Sequence, residues 1–168
     1  MEQSPQDLAV LQQLIDESAR RASPAMRASF GLPEQSLTAA QLVRRCAGVF
    51  TAVLATTTAK GEPRCAPVGV LFHRGRLHVP TSADSNRARN LAARPALSLS
   101  LFDDAGFALI VHGSGVLVEP GHADFEALED VQFAARGTRV SSWGRGVFIR
   151  IEADLLFSYA RDPQGYPG

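Results

Sequence analysis

The sequence predicts a mainly β domain: a six-stranded antiparallel barrel with α-helices at its periphery. Three observations carry that expectation. Six segments between residues 49 and 152 follow the period of strands. Short turns link several of them, and only antiparallel neighbours can be joined that way. Helical spacing is confined to the first 46 residues and to two interruptions between strands.

Ser4-Pro5-Gln6-Asp7 supplies a helix N-cap, a proline at the first helical position and an acid at the third. Leu8, Leu11, Ile15 and Ala19 follow at helical spacing, and Arg20 and Arg21 suit the negative end of the helix dipole. Residues 23–36, with Pro24, Gly31 and Pro33, read as a linker, so that residues 1–37 form a helical extension. Thr38-Ala39-Ala40-Gln41 is a second capping box, leading into Leu42, Val43 and Cys46.

From Val49 the period changes. Val49–Thr57 is rich in β-branched residues and ends at the turn Ala59-Lys60-Gly61. Strands at 67–72 and 77–81 flank His73-Arg74-Gly75-Arg76, a tight hairpin. Asn86–Ala93 is a short helix stopped by Pro95. In Ala96–Phe102, Leu97, Leu99 and Leu101 face one way and Ser98 and Ser100 the other. Residues 107–119 form a long strand in which Gly113 and Gly115 mark a bulge or a close backbone approach. Residues 122–135 return to helical spacing on Phe125, Leu128 and Val131, with Gly137 as C-terminal cap. Residues 147–152 alternate again, with Val147, Ile149 and Ile151 on one face. The barrel then spans 38–160, and 161–168 is a short tail.

At 168 residues the chain fits one domain whose core needs no staples. Lys+Arg and Asp+Glu are 17 each, which gives no general pull toward nucleic acid or an anionic membrane. Any anion must therefore be held by a local site. Cys46 and Cys65 lack metal-ligand spacing and are expected to be reduced and at least partly buried. The N-terminus lacks the pattern of a signal peptide, and no apolar run approaches the ~20 residues of a membrane helix, so a cytoplasmic location is expected.

The segment with most chemistry is Thr81-Ser82-Ala83-Asp84-Ser85-Asn86-Arg87-Ala88-Arg89-Asn90-Leu91. A strand ends in a polar loop that runs straight into a helix N-terminus, where free N–H groups favour an anion. Thr81, Ser82 and Ser85 add hydroxyl donors; Arg87 and Arg89 add fork-shaped cationic donors suited to phosphate. The plainer alternative is a surface helix capped by Ser85 with solvated arginines.

Leu54-Ala55-Thr56, Gly61-Glu62-Pro63, Pro67-Val68, Leu77-His78-Val79-Pro80-Thr81, Ser85 to Leu91 and Arg94-Pro95 occur in an order and spacing that resemble the pyridoxamine-5′-phosphate-oxidase-like FMN-binding split barrels. The resemblance runs from about Thr38 to Tyr159. It implies a Greek-key split barrel, a homodimer, and a flavin whose phosphate is contacted by residues matching Thr81, Ser85 and Arg87, with Ser82 in the same loop. Ala66, Pro67 and Val68 match the strand whose backbone reaches the flavin ring. Trp143 resembles an aromatic residue placed near the ring by the partner subunit, and is equally readable as an ordinary interface or core residue.

The chain also departs from true pyridoxamine-phosphate oxidases. Their arginine after the G-x-P turn aligns with Ala66, and their basic C-terminal motif is replaced by a tail with Arg161 alone. Oxidation of vitamin B6 is therefore not expected. His73 and His122 are expected at exposed turns, while His78 or His112 could face a cavity and, as in haem-binding relatives, ligate haem. Cys65 reads as a small packed side chain. No metal site and no hydrolytic triad stands out, which fits a protein whose cofactor performs the electron transfer. The expectation is an FMN-dependent oxidoreductase acting on a small organic substrate. A deazaflavin coenzyme is the first alternative, and its long acidic tail would want a basic groove such as Arg74, Arg76, Arg87 and Arg89 could form. A non-catalytic flavin- or haem-binding protein is the second.

Overall fold

The computed structural model describes residues 3–167. Met1, Glu2 and Gly168, the outermost residues of the predicted extension and tail, lie outside them. The strands are β1 (Val49–Thr57), β2 (Pro63–His73), β3 (Arg76–Ser82), β4 (Ala96–Phe102), β5 (Phe107–Val118) and β6 (Gly146–Ala160). They close into an antiparallel barrel in the order β1-β2-β3-β6-β5-β4, with β4 returning to β1. Among the described residues five helices surround it: α1 (Pro5–Arg21), α2 (Pro24–Phe30), α3 (Ala39–Arg45), α4 (Asn86–Ala93) and α5 (Phe125–Arg136). A 3₁₀ turn, Val140–Trp143, precedes β6. Among the described residues no helix is long and apolar enough to cross a membrane.

The capping boxes at Ser4/Asp7 and Thr38/Gln41 form as their spacing predicts. The stretch 23–36 is not a plain linker. Ser23 caps α2, Pro24 opens it and Gly31 closes it in the left-handed region (φ 55°), so the residues that read as breakers are helix punctuation. Leu11, Ile15, Leu37, Ala39 and Leu42 share one buried core with Leu54, Val70, Leu99 and Ile149 of the barrel. Ser18 and Ser158 fasten that packing, their hydroxyl oxygens accepting from Leu156 N (2.8 Å) and Leu37 N (2.9 Å).

β6 runs well past residue 152, and the reason is a bulge. Opposite it, β5 shifts register between His112, paired with Leu155, and Gly113, paired with Ala153. Asp154 is the extra residue, its carbonyl accepting from Arg21 at 3.1 Å. The insertion breaks the alternation. Gly113 is the position expected to mark such a feature, and a Cβ there would run into the Glu152 carbonyl. β6 is also buried on both faces. Val147, Ile149 and Ile151 are buried on one side, and Phe148 packs on the other against Leu71, Val118, Phe125, Leu128 and Val140 beneath α5.

One seam positions the site. The hairpin turn has positive φ at both Arg74 (49°) and Gly75 (70°), as a two-residue type I′ connection requires. From there β2 and β3 are bonded only over Leu71–His73 and Arg76–His78. The next rung would set Pro80 opposite Gly69, and proline has no amide hydrogen to donate. β3 instead continues along β6 to Ser82. The first half of β2 is thereby freed, and α4 begins beside it.

Candidate functional site

A cleft of about 510 Å³ lies between Leu54, Thr56 and Thr58 of β1 and the turn after it, Arg64, Cys65 and Ala66 of β2, and Ser85, Asn86, Arg87 and Asn90 at the start of α4. Its volume falls in the range of small-molecule sites. Cross-strand pairing explains the floor: Ala66 stands opposite Leu54 and Arg64 opposite Thr56, so these side chains share one face.

Three of the predicted residues form a bonded chain: Ser85 and Arg87 line one end of the cleft, while Thr81, expected to contact the phosphate itself, is buried behind them (3% exposed). Arg87 Nη1 donates to Thr81 Oγ1 at 3.0 Å, and Thr81 Oγ1 donates to Ser85 Oγ at 3.1 Å. Ser85 Oγ also caps α4 by accepting from Ala88 N at 3.2 Å. With two bonds accepted, the Ser85 hydroxyl hydrogen remains available to a ligand. The first amides of α4 have no partner within the helix. Among the described residues Arg87 makes no ion pair, its bond being to a neutral hydroxyl. A half-buried cation, a free hydroxyl and a helix N-terminus converging on one cleft end are a donor set suited to a phosphate or carboxylate.

Other contacts hold this set in place. Asn90 Nδ2 donates to Thr56 Oγ1 at 3.1 Å, tying α4 to β1. Leu91, 2% exposed, sits where Gly115 leaves room, and a Cβ on Gly115 would come within 2.9 Å of Leu91 Cδ1. Arg64 enters the cleft while paired with Glu62 at 2.7 Å. Arg64, Thr56, Asn86 and Asn90 were not singled out from the sequence as site residues. For Arg64 the available signal was its place directly after Gly61-Glu62-Pro63; its relevance depends on the β1–β2 register.

The remaining predicted residues are placed as follows. Ala66 lines the cleft. Val68 is on the same face but buried in the core, and Pro67 is exposed on the opposite face of β2. Ser82 Oγ accepts from Asp84 N at 3.2 Å and shapes the loop. Trp143 stands on the 3₁₀ turn, 41% exposed, outside this cleft within one chain. A second cleft of about 480 Å³ adjoins that turn, lined by Ala83, Glu119, Ser141, Gly144 and Arg145 among others.

Several expectations need correction. Arg74 pairs with Asp124 (2.6 Å) and Arg76 with Glu152 (3.3 Å) at the hairpin end of β3, while Arg87 lies past its other end. The four arginines therefore do not line one basic groove. His73 is not exposed: the turn residues are Arg74 and Gly75, and the His73 ring packs edge-on to His78 with centroids 5.9 Å apart. The two histidines are 2% and 1% exposed. Burial pushes both below the usual histidine range, His78 to about 3. His112 is exposed and bonded to Ser98 Oγ (2.8 Å), and His122 is exposed as expected. Cys46 is buried, its thiol pushed up to about 12 by burial, but Cys65 is exposed because β2 turns it outward.

A family model described as pyridoxamine 5′-phosphate oxidase matches residues 39–154. No curated protein matches the sequence. Among solved structures, a conserved hypothetical protein from Mycobacterium tuberculosis superposes with TM-score 0.64 at 22% identity, over 77% of this chain and 88% of that one. An F420 reductase matches at TM-score 0.51 and 21% identity, over 63% and 87%. A haem-binding protein from Mycobacterium smegmatis matches at TM-score 0.53 and 17% identity, over 72% and 56%. At these identities the likenesses establish the fold alone.

Proposed function

Because the chain belongs to the pyridoxamine 5′-phosphate oxidase family, we propose that it is a flavin-dependent oxidoreductase which holds FMN in the cleft between β1, β2 and α4. The observation that carries this reading is the chain Arg87–Thr81–Ser85 at the start of α4, opening on a cleft of about 510 Å³. A bound flavin supplies hydride or electron transfer to or from a small organic substrate. The protein supplies binding and orientation. Arg87, the Ser85 hydroxyl and the first amides of α4 hold the phosphate, and Arg64, which lines the same cleft, adds positive charge to it. Ala66, with its short side chain, leaves the β2 backbone open to the ring.

The reading includes a homodimer. The outer face of β1 and β2 leaves Val53 40% exposed, with Cys65 and Pro67 also uncovered. A second copy on this face would bury them, and would bring its own Trp143 toward a flavin that one barrel covers on one side only. FMN is preferred to a deazaflavin because Arg74 and Arg76 are committed to Asp124 and Glu152, away from the cleft.

The test is the absorption spectrum and mass of the cofactor that copurifies, followed by FMN titration of the stripped protein. A flavin spectrum with the mass of FMN, bleached by a reducing substrate without air, is expected. A deazaflavin mass, or the intense band of a haem, would replace the cofactor in this reading. A flavin that no reductant can reach would make the protein a carrier.

A further inference from the structure

We propose that Glu129 is a positioning residue for the cofactor loop, acting through the Val140–Trp143 turn and Arg145. The inference rests on the cofactor reading of the loop Thr81–Arg87. Glu129 lies on α5 and is 1% exposed. Its two carboxylate oxygens accept from consecutive backbone amides at the start of the 3₁₀ turn, Oε2 from Val140 N (2.9 Å) and Oε1 from Ser141 N (2.6 Å). Burying a carboxylate costs free energy that two such bonds offset only when the geometry is good. α5 does not need it for anchorage, since Phe125 and Leu128 already pack with Leu71, Phe148 and Val118. What the carboxylate fixes, and apolar contacts would not, is the orientation of the turn.

The turn passes that orientation to the loop. Gly144 follows with positive φ (80°), and Arg145 comes next. The Arg145 carbonyl accepts from Ala83 N at 2.8 Å, and its Nη1 donates to Asp84 Oδ1 at 2.9 Å. Both partners lie between Thr81 and Ser85. Gly146 completes the seat: a Cβ there would collide with the Val140 carbonyl, so the turn is pressed against the start of β6. Bonds and the short turn thus link α5 to Ala83 and Asp84, the two residues before the Ser85 cap of α4, and the turn carries the chain's one tryptophan, Trp143.

The experiment measures amide exchange at Ala83, Trp143 emission and FMN affinity in Glu129→Gln and Arg145→Ala, with Arg139→Ala as control. Arg139 flanks the turn but pairs with Asp130 at 2.7 Å. Glu129→Gln keeps one acceptor and loses the other, and is expected to speed Ala83 exchange and shift Trp143 emission in protein that is still folded. It should weaken FMN binding by about 3- to 10-fold. Arg145→Ala keeps the carbonyl that accepts from Ala83 and loses only the pair with Asp84, so it should weaken FMN binding while leaving Ala83 protected, and the double variant should bind FMN little worse than the worse single one. The control should change none of these. A Glu129→Gln protein that melts earlier yet keeps Ala83 protection, Trp143 emission and FMN affinity would show a purely structural role and overturn the proposal. If Glu129→Gln does not fold, unchanged FMN affinity in Arg145→Ala overturns it equally. Faster Ala83 exchange in a protein whose wild type binds no FMN would sustain the positioning role and refute the cofactor reading instead.

Discussion

Arg87 bonds to the Thr81 hydroxyl and faces the cleft without a carboxylate of its own. Arg87→Ala should therefore weaken FMN binding by about tenfold or more, given the ~1.5–3 kcal/mol of a hydrogen bond to a charged group. Arg74→Ala is the control: its partner is Asp124, and FMN titration should show no change. The buried histidines give a different prediction. The unfolded chain takes up protons on His78 below its ordinary value of 6.5, whereas the folded protein holds that pKa at about 3, chiefly by burial. Stability is thus complete above pH ~6.5 and is lost as pH falls toward 3, at ~1.4 kcal/mol per pH unit for such a group. Urea melts at pH 7 and pH 5 should show that loss in the wild type and a smaller one in His78→Gln; equal losses would contradict it. Thr81, Ser85 and Arg87 were legible in the sequence because hydroxyls and arginine at a strand-to-helix junction are a local signal. Arg64 and the His73–His78 pair were not, since each depends on a strand register that brings distant residues together.

Among the elements, β1, β4 and α4 occupy the residues their patterns predict, because each carries a single unbroken period between clear stops. β2, expected from 67, begins at Pro63; β6 runs longer than its pattern, and α2 is absent from it. A bulge at Asp154 reverses the alternation in β6, and helix caps resemble loop residues in α2. The glycines of β5 link these elements to the site. Gly115 makes room for Leu91, which seats α4. Gly115→Ala should destabilise the protein by ~1–3 kcal/mol, the usual cost of overpacking, and should also weaken FMN binding by displacing the helix that carries Arg87. Gly113→Ala meets the Glu152 carbonyl and touches neither α4 nor the cleft lining, so it should lower stability without changing the FMN affinity of the folded protein. Thermal melts and FMN titrations of the two variants separate these outcomes; a Gly115→Ala protein with wild-type affinity would contradict the role given to α4.

For the whole molecule, the barrel and its family were legible because motif order survives where individual residues change, whereas the open seam was not, since it arises from one missing amide at Pro80. The same architecture gives a negative prediction. Pyridoxamine 5′-phosphate would need a second phosphate grip, and the resemblance puts Ala66 where those enzymes carry an arginine, while Arg64 is paired with Glu62. Arg139 and Arg145 are paired with Asp130 and Asp84. Protein loaded with FMN should show no sustained formation of pyridoxal phosphate in air. Sedimentation at micromolar concentration should give a dimer, and a clean monomer that binds flavin tightly would contradict the proposed covering of the β1–β2 face. The central claim is that the start of α4 grips a phosphate. Parallel titrations of FMN and riboflavin, which differ only in that group, test it most directly. The wild type should bind FMN at least about tenfold more tightly than riboflavin, with the advantage collapsing in Arg87→Ala. Equal affinities for the two ligands in the wild type would show that no phosphate is held there.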